Sequence, residues 1–231
     1  MMGRDHAALG ALVALGAGRL AGLSAPELLC VAGTVAGAAL LPDLDEPGSS
    51  VAHMMEPISG AVASVTKRIA GGHRKATHSL IGLGVVTGLT LFLAHVSLTS
   101  GVPASIVMVG IAYAIAARTL SPVGLRPGHL AALVIGAGGA YATWRYVGLG
   151  WAPWAIAGGI AMHFVGDMVT KGGVPLFWPN TYHVEWSVLG HTDSGRERVV
   201  GIVMIACVVG LAWLPLATLG PHALLIARTW R

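Results

Sequence analysis

The stretch "IAMHFVGDMVTKGG", residues 160–173, decides how the chain is read. It ends an apolar run that begins near residue 152 and is greasy enough to enter a bilayer. Yet its last turns carry His163 and Asp167, followed by Thr170, Lys171 and two glycines. The two ionisable residues stand four apart, so a helix places them on one face. Groups of this kind are costly at such depth, and function is the default reading. The spacing lets both hold one ion, or lets Asp167 orient the His163 ring. The plainer alternative is an ion pair at a helix end.

The rest of the chain supports a membrane setting. Of 231 residues, 55% are hydrophobic and only 10% charged, against roughly 25% charged in soluble domains. So few charges cannot cover a globule with a wetted surface. Apolar runs fall at 7–23, 28–42, 79–99, 104–120, 129–149, 152–170 and 199–219, or about seven segments of spanning character. The expected fold is all-α: a polytopic α-helical membrane protein forming a single membrane-embedded domain over residues 1–231. Gly33–Gly37 and Gly136–Gly139 suit close helix approach. Trp151, Trp154, Trp178 and Trp186 edge the runs as interfacial anchors do. Cys30 and Cys207 lie in apolar segments outside any CxxC pair and read as packing residues. The net charge of +4 fits membrane topology and calls for no nucleic-acid partner.

With the amino terminus inside, Arg4, Lys67, Arg68, Arg74, Lys75, Arg118, Arg126, Lys171, Arg196 and Arg198 all fall on the cytoplasmic side. Arg228 and Arg231 fall opposite. The loop 43–78 opens with turn formers, and its amphipathic part, residues 54–72, is expected to lie on the membrane surface.

This topology gathers polar residues at one interface. "LPDLDEPGS" (41–49) supplies Asp43 and Asp45, read as alternating on a non-helical segment so that both carboxylates point one way. "HRKATHSL" (73–80) supplies His73, His78 and Arg74, whose fork matches phosphate oxygens. Lys75 reads as topology-setting charge. Thr77 and Ser79 can cap the next helix, or one of them can act as a nucleophile beside His78. His6 opens the first segment on the same side. This nitrogen-and-oxygen donor set suits a divalent metal, with zinc first and Mn²⁺ or Fe²⁺ behind it, and its size suggests more than one ion. His53, His129, His183, His191 and Glu197 are weaker candidates. His95 falls toward the opposite side and reads as structural.

In these motifs the chain resembles the YdjM-like family of bacterial, membrane-bound, metal-dependent hydrolases, described as LexA-regulated. The match lies in His6, "LPDLDEPGS", "HRKATHSL" and "HFVGDMVTKGG" (163–173). One departure is Lys75, where the family pattern has a small residue. "HFVGD" is also similar, more distantly, to the His-x-x-x-Asp helix of zinc-dependent phospholipase C and the related single-strand nucleases. The resemblance implies metal ligands at His6, Asp45, His78, His163 and Asp167, with catalytic roles for Arg74, His73 and Asp43. The activity it implies is hydrolysis of a phosphoester, such as a lipid headgroup, at the cytoplasmic face of the inner membrane. The rival reading is a transporter that moves protons or metal along the same His and Asp residues. A further rival is an adaptor in which metal only pins loops together.

Overall fold

The computed structural model describes residues 1–49, 51–54, 57–121 and 127–229, with side chains as far as Trp213. Arg126 and Arg231, counted above for orientation, lie outside the described residues, as does the side chain of Arg228. The described residues form eight α-helices and no strand. They are α1 (Gly3–Leu20), α2 (Ala25–Ala38), α3 (Ile58–Ile69), α4 (Leu80–Ser100), α5 (Ile106–Leu120), α6 (His129–Tyr146), α7 (Ala152–Met168) and α8 (Gly195–Thr229). Two short 3-10 turns, Pro42–Asp45 and Ala76–His78, carry site residues.

Local chemistry sets the boundaries. The Glu27 carboxylate accepts from Ser24 N at 2.9 Å and Ser24 Oγ at 2.6 Å, closing the start of α2. Ser79 caps α4, its Oγ accepting from Gly82 N at 3.3 Å. Gly101, at φ 71°, ends that helix in the left-handed conformation that glycine adopts without strain.

Packing centres on α2, which lies against α1, α5 and α7. A Cβ on Gly37 would sit 1.8 Å from Ala112 O, so α2 and α5 touch backbone to backbone. Gly136 approaches Gly110 O on α5 in the same way, and Gly159 brings α7 against Val35 O. Glycine thus sets the interhelical distances, as the small-residue pattern implied. Cys30 is partly buried at this interface, whereas Cys207 is exposed on α8 and does not pack as expected.

The seven apolar runs are all helical, but the expectation of about seven membrane-length apolar helices is not met. Among the described residues two stretches, Ala25–Asp45 and Leu80–Ser100, are long and apolar enough to cross a membrane. At 21 residues, α4 reaches roughly 31 Å. Helix α5 is apolar but has 15 residues, and α7 has 17. Charge dilutes α1, which holds Arg4, Asp5 and Arg19. Exposed apolar side chains nonetheless cover the outside: Val85 and Phe92 on α4, Leu130 and Val134 on α6, Ile202 and Val209 on α8. Helix α3 has the amphipathic form expected of its loop, with Ile58, Val62, Val65 and Ile69 exposed along one face and Lys67 and Arg68 near its end.

Candidate metal centre

The starts of α1 and α4 and the ends of α2 and α7 meet at one end of the bundle. They bring together His6, Asp43, Asp45, His73, Arg74, His78, His163 and Asp167. His6, Asp45, His78, His163 and Asp167 are each at most 1% exposed. The Asp43 side chain is 21% exposed and that of His73 34%.

His163 projects from α7, and its Nδ1 lies 2.7 Å from Ala39 O at the end of α2. A carbonyl only accepts, so Nδ1 carries the proton and Nε2 presents a lone pair. His78 is fixed by a relay. The Thr77 hydroxyl makes a short hydrogen bond to Asp45 Oδ2 and lies 3.0 Å from His78 Nδ1. Since the carboxylate only accepts, Thr77 donates to Asp45 and receives from His78 Nδ1–H. The His78 Nε2 lone pair is thereby turned toward His163 Nε2, 3.1 Å away. Two lone pairs cannot face each other at that distance without a positive charge between them. Burial disfavours the His78 imidazolium, but the hydrogen bonds and charges of Asp43 and Asp45 outweigh it and push the pKa up to about 9. Without a metal, a proton on His78 fills that role.

Two carboxylate oxygens complete the cluster. Asp43 Oδ1 is 3.5 Å from His78 Nε2 and 3.7 Å from His163 Nε2. Asp167 Oδ2 is 3.6 Å from His163 Nε2 and 3.9 Å from His78 Nε2. That oxygen is buried and has no hydrogen-bond partner among the described residues. Its twin, Oδ1, takes the Met1 nitrogen at 2.6 Å, Arg74 Nη2 at 2.9 Å and His6 Nε2 at 3.2 Å. Donors held on tetrahedral zinc lie roughly 3.3 Å apart, from bonds of about 2.0 Å. The separations measured from the two facing nitrogens, 3.1 to 3.9 Å, are close to that shell. The orphaned carboxylate oxygen and the facing nitrogens therefore fit a divalent cation.

The structure reaches Asp43 and Asp45 by a different backbone than the alternating segment expected. Pro42–Asp45 is a 3-10 turn, which points residues two apart roughly 240° from one another. The two carboxylates thus straddle His78. Asp43 joins the facing nitrogens, while Asp45 lies behind, 2.7 Å from His73 Nδ1 through Oδ1 and bonded to Arg74 N and Thr77 through Oδ2. Among the described residues three groups have the spacing to hold an ion: Asp43 with His78 and His163, His6 with His163 and Asp167, and Asp45 with His73 and His78.

The His6 ring stacks on His163 with centroids 3.8 Å apart. Gly166, inside the "HFVGD" motif, permits this, since a Cβ there would lie 2.7 Å from His6 Nδ1 and 2.9 Å from Met1 Sδ. Arg74 has φ 54°, a left-handed conformation, and its guanidinium contacts Asp167. Lys75 has φ −120°, outside the left-handed region that Arg74 occupies. Its side chain is exposed and lies over Gly71 and Gly72.

The weaker candidates separate. His129 Nδ1 holds Met54 O at 2.7 Å, and His183 Nδ1 holds Gly172 O at 2.7 Å, each tying loop to loop or helix. His95 is exposed on α4 and His191 is exposed in the loop before α8. Glu197 is buried beside the site, taking Met2 N and Asp193 N at 2.5 Å each. Sequence reasoning missed Asp5, which is 1% exposed with both oxygens unpartnered by hydrogen bonds among the described residues. It also missed the Thr77 relay and the reason for Gly166. A family model described as YdjM inner membrane protein matches residues 1–224. No curated protein and no solved structure matches the chain.

Proposed function

The chain belongs to the YdjM inner membrane protein family, and from that premise we propose that it is a membrane-bound, metal-dependent hydrolase of phosphoesters. The observation that carries this reading is the His78–His163 pair, with Nε2 atoms 3.1 Å apart and both Nδ1 atoms already engaged. Asp43, His78 and His163 would hold one ion, zinc before Mn²⁺ or Fe²⁺, with His6, His163 and Asp167 and then Asp45, His73 and His78 as neighbouring groups of the same spacing. A divalent ion there supplies Lewis acidity and a bound water of lowered pKa.

The chain's own residues do the rest. Arg74 keeps four of its five N–H donors beyond the one spent on Asp167, enough to hold a phosphate. His73 is fixed through Nδ1 by Asp45 and is part-exposed, so its Nε2 is the natural place to take or return a proton. Asp45 holds His73 with one oxygen and, through Thr77, His78 with the other. The apolar bundle is read as membrane-embedded, with α2 and α4 as its elements of spanning character and the site end cytoplasmic. Lys67, Arg68, Arg74, Lys75, Lys171, Arg196 and Arg198 crowd the segments at that end. The apolar face of α3 then rests on the headgroup layer, which makes a lipid phosphoester the fitting substrate.

The transporter reading calls for ionisable groups at several depths. Along α4 and α5 the described residues offer His95, Tyr113 and Arg118. The test is to purify the protein in detergent, measure bound metal, and assay phospholipids and isoprenoid phosphates. A metal-loaded sample that turns over nothing in the panel, yet carries zinc or protons into proteoliposomes, would reverse the assignment.

A further inference from the structure

Resting on that reading of the centre as a phosphoester hydrolase, we infer that its substrate is a phosphomonoester, presented end-on as a terminal phosphate, and not a phosphodiester. Access decides this. Of the four donors around the facing nitrogens, three are at most 1% exposed and only Asp43, at 21%, is reached from outside. A cavity of about 160 Å³ lies on that side, lined by Gly3, Leu40, Asp43, Gly48, Ser49 and Val51. Small-molecule sites usually measure roughly 300–1,000 Å³, so this one takes a headgroup fragment only.

Its walls do not yield easily. Leu40 and Val51 belong to the packed core with Ala7 and Ala36. Gly3 brings the first turn of α1, the end of a helix that favours negative charge. Ser49 Oγ accepts from Ala52 N at 3.2 Å, a bond that leaves its hydroxyl hydrogen free to serve a ligand oxygen. A monoester sends one substituent out of this pocket into the lipid layer. A diester must fit a second substituent into space bounded by α1, the end of α2 and Gly48, Ser49 and Val51. In the reaction, the oxygen of water bonds to phosphorus as the phosphorus–oxygen bond to the alcohol breaks. The proton lost by the water returns to the departing oxygen, giving an alcohol and inorganic phosphate.

The test uses the metal-loaded full chain with a diacylglycerol phosphate and a phosphatidylglycerol of identical acyl chains. Expected are phosphate release from the first at a kcat/KM roughly 100-fold or more above cleavage of the second, and competitive inhibition and a raised Tm with orthophosphate. Gly48→Leu fills the cavity, since a Cβ there meets only Glu46 Oε1, at 3.6 Å. It should keep its metal content while losing the orthophosphate shift and at least about tenfold in monoester turnover. Diester cleavage as fast as monoester cleavage in a metal-loaded sample overturns the inference and leaves the hydrolase reading standing. So does a metal-loaded sample that spares the monoester but cleaves the diester, or an orthophosphate shift unchanged in Gly48→Leu. Absence of both bound metal and turnover of either lipid ends both readings.

Discussion

Replacing Thr77 by valine tests the relay that aims His78 at the metal. Valine has nearly the shape of threonine and lacks only the hydroxyl. In the native site that hydroxyl donates to Asp45 and lies 3.0 Å from His78 Nδ1. Its loss leaves His78 Nδ1–H facing a methyl group, with Asp45 Oδ2 at 3.5 Å. An unsatisfied buried donor costs about 1–3 kcal/mol. Asp45 can recover part of this by a small shift, so the lower half of the range applies. Loss of a partner behind a metal-bound histidine typically costs about 10–100-fold in affinity, or roughly 1.4–2.7 kcal/mol. Thr77→Val should therefore weaken metal binding about tenfold or somewhat more, while Thr77→Ser restores it. Competitive titration of detergent-solubilised protein against a chromophoric chelator reads this directly. A valine variant within twofold of wild type would refute the relay. So would a serine variant as weak as the valine one, because the hydroxyl would then not be the operative atom.

Below about 9 the ion-free His78 is protonated, and a metal must displace that proton. Affinity should thus fall as pH drops, by up to about tenfold per unit, with proton release on loading measurable by calorimetry in buffers of different ionisation enthalpy; affinity independent of pH across neutrality would contradict this. Gly166→Ala places a methyl 2.7 Å from His6 Nδ1, and overpacking of about 1–3 kcal/mol should lower both Tm and metal content. Gly37→Ala drives a Cβ to 1.8 Å from Ala112 O, where no rotamer change can help, and should cost more than about 3 kcal/mol. Gly84→Ala on α4 meets nothing within 4 Å and should raise stability by about 0.5–1 kcal/mol, so equal thermal stability of the Gly37 and Gly84 variants would undo the packing argument.

Periodicity and hydropathy located every long apolar helix, because burial and lipid contact both demand the same runs. They overstated spanning length for a physical reason. Helices α1, α5, α6 and α7 stay stable by packing small residues against neighbours, so apolar character there need not reach bilayer length. The convergence of His6, Asp43, Asp45, His73, His78, His163 and Asp167 was legible because each sits at a segment end, and the up-and-down alternation of the apolar helices sends those ends to one side. Roles within the cluster were not legible. Asp43 and Asp45 are chemically identical and two residues apart. Only the 3-10 geometry of Pro42–Asp45 turns one toward the facing nitrogens and the other toward Thr77 and His73.

The same limit governs Gly166 and Asp5. A glycine in a chain with 33 of them carries no mark of its purpose. Its necessity appears only when His6, from the other end of the chain, is seen stacked on His163 with its Nδ1 beneath the missing Cβ. Asp5 precedes His6 and shares its burial, yet its carboxylate turns toward α8, where Gly201 leaves room for it. One helical step of about 100° separates a residue aimed at the centre from one aimed away. Local sequence therefore names the elements that meet, while the atoms that can share an ion depend on contacts between segments more than 80 residues apart, such as His78 with His163. A hydroxyl, a glycine and a short turn decide the geometry there. None of the three is a residue type that a search for metal ligands would select.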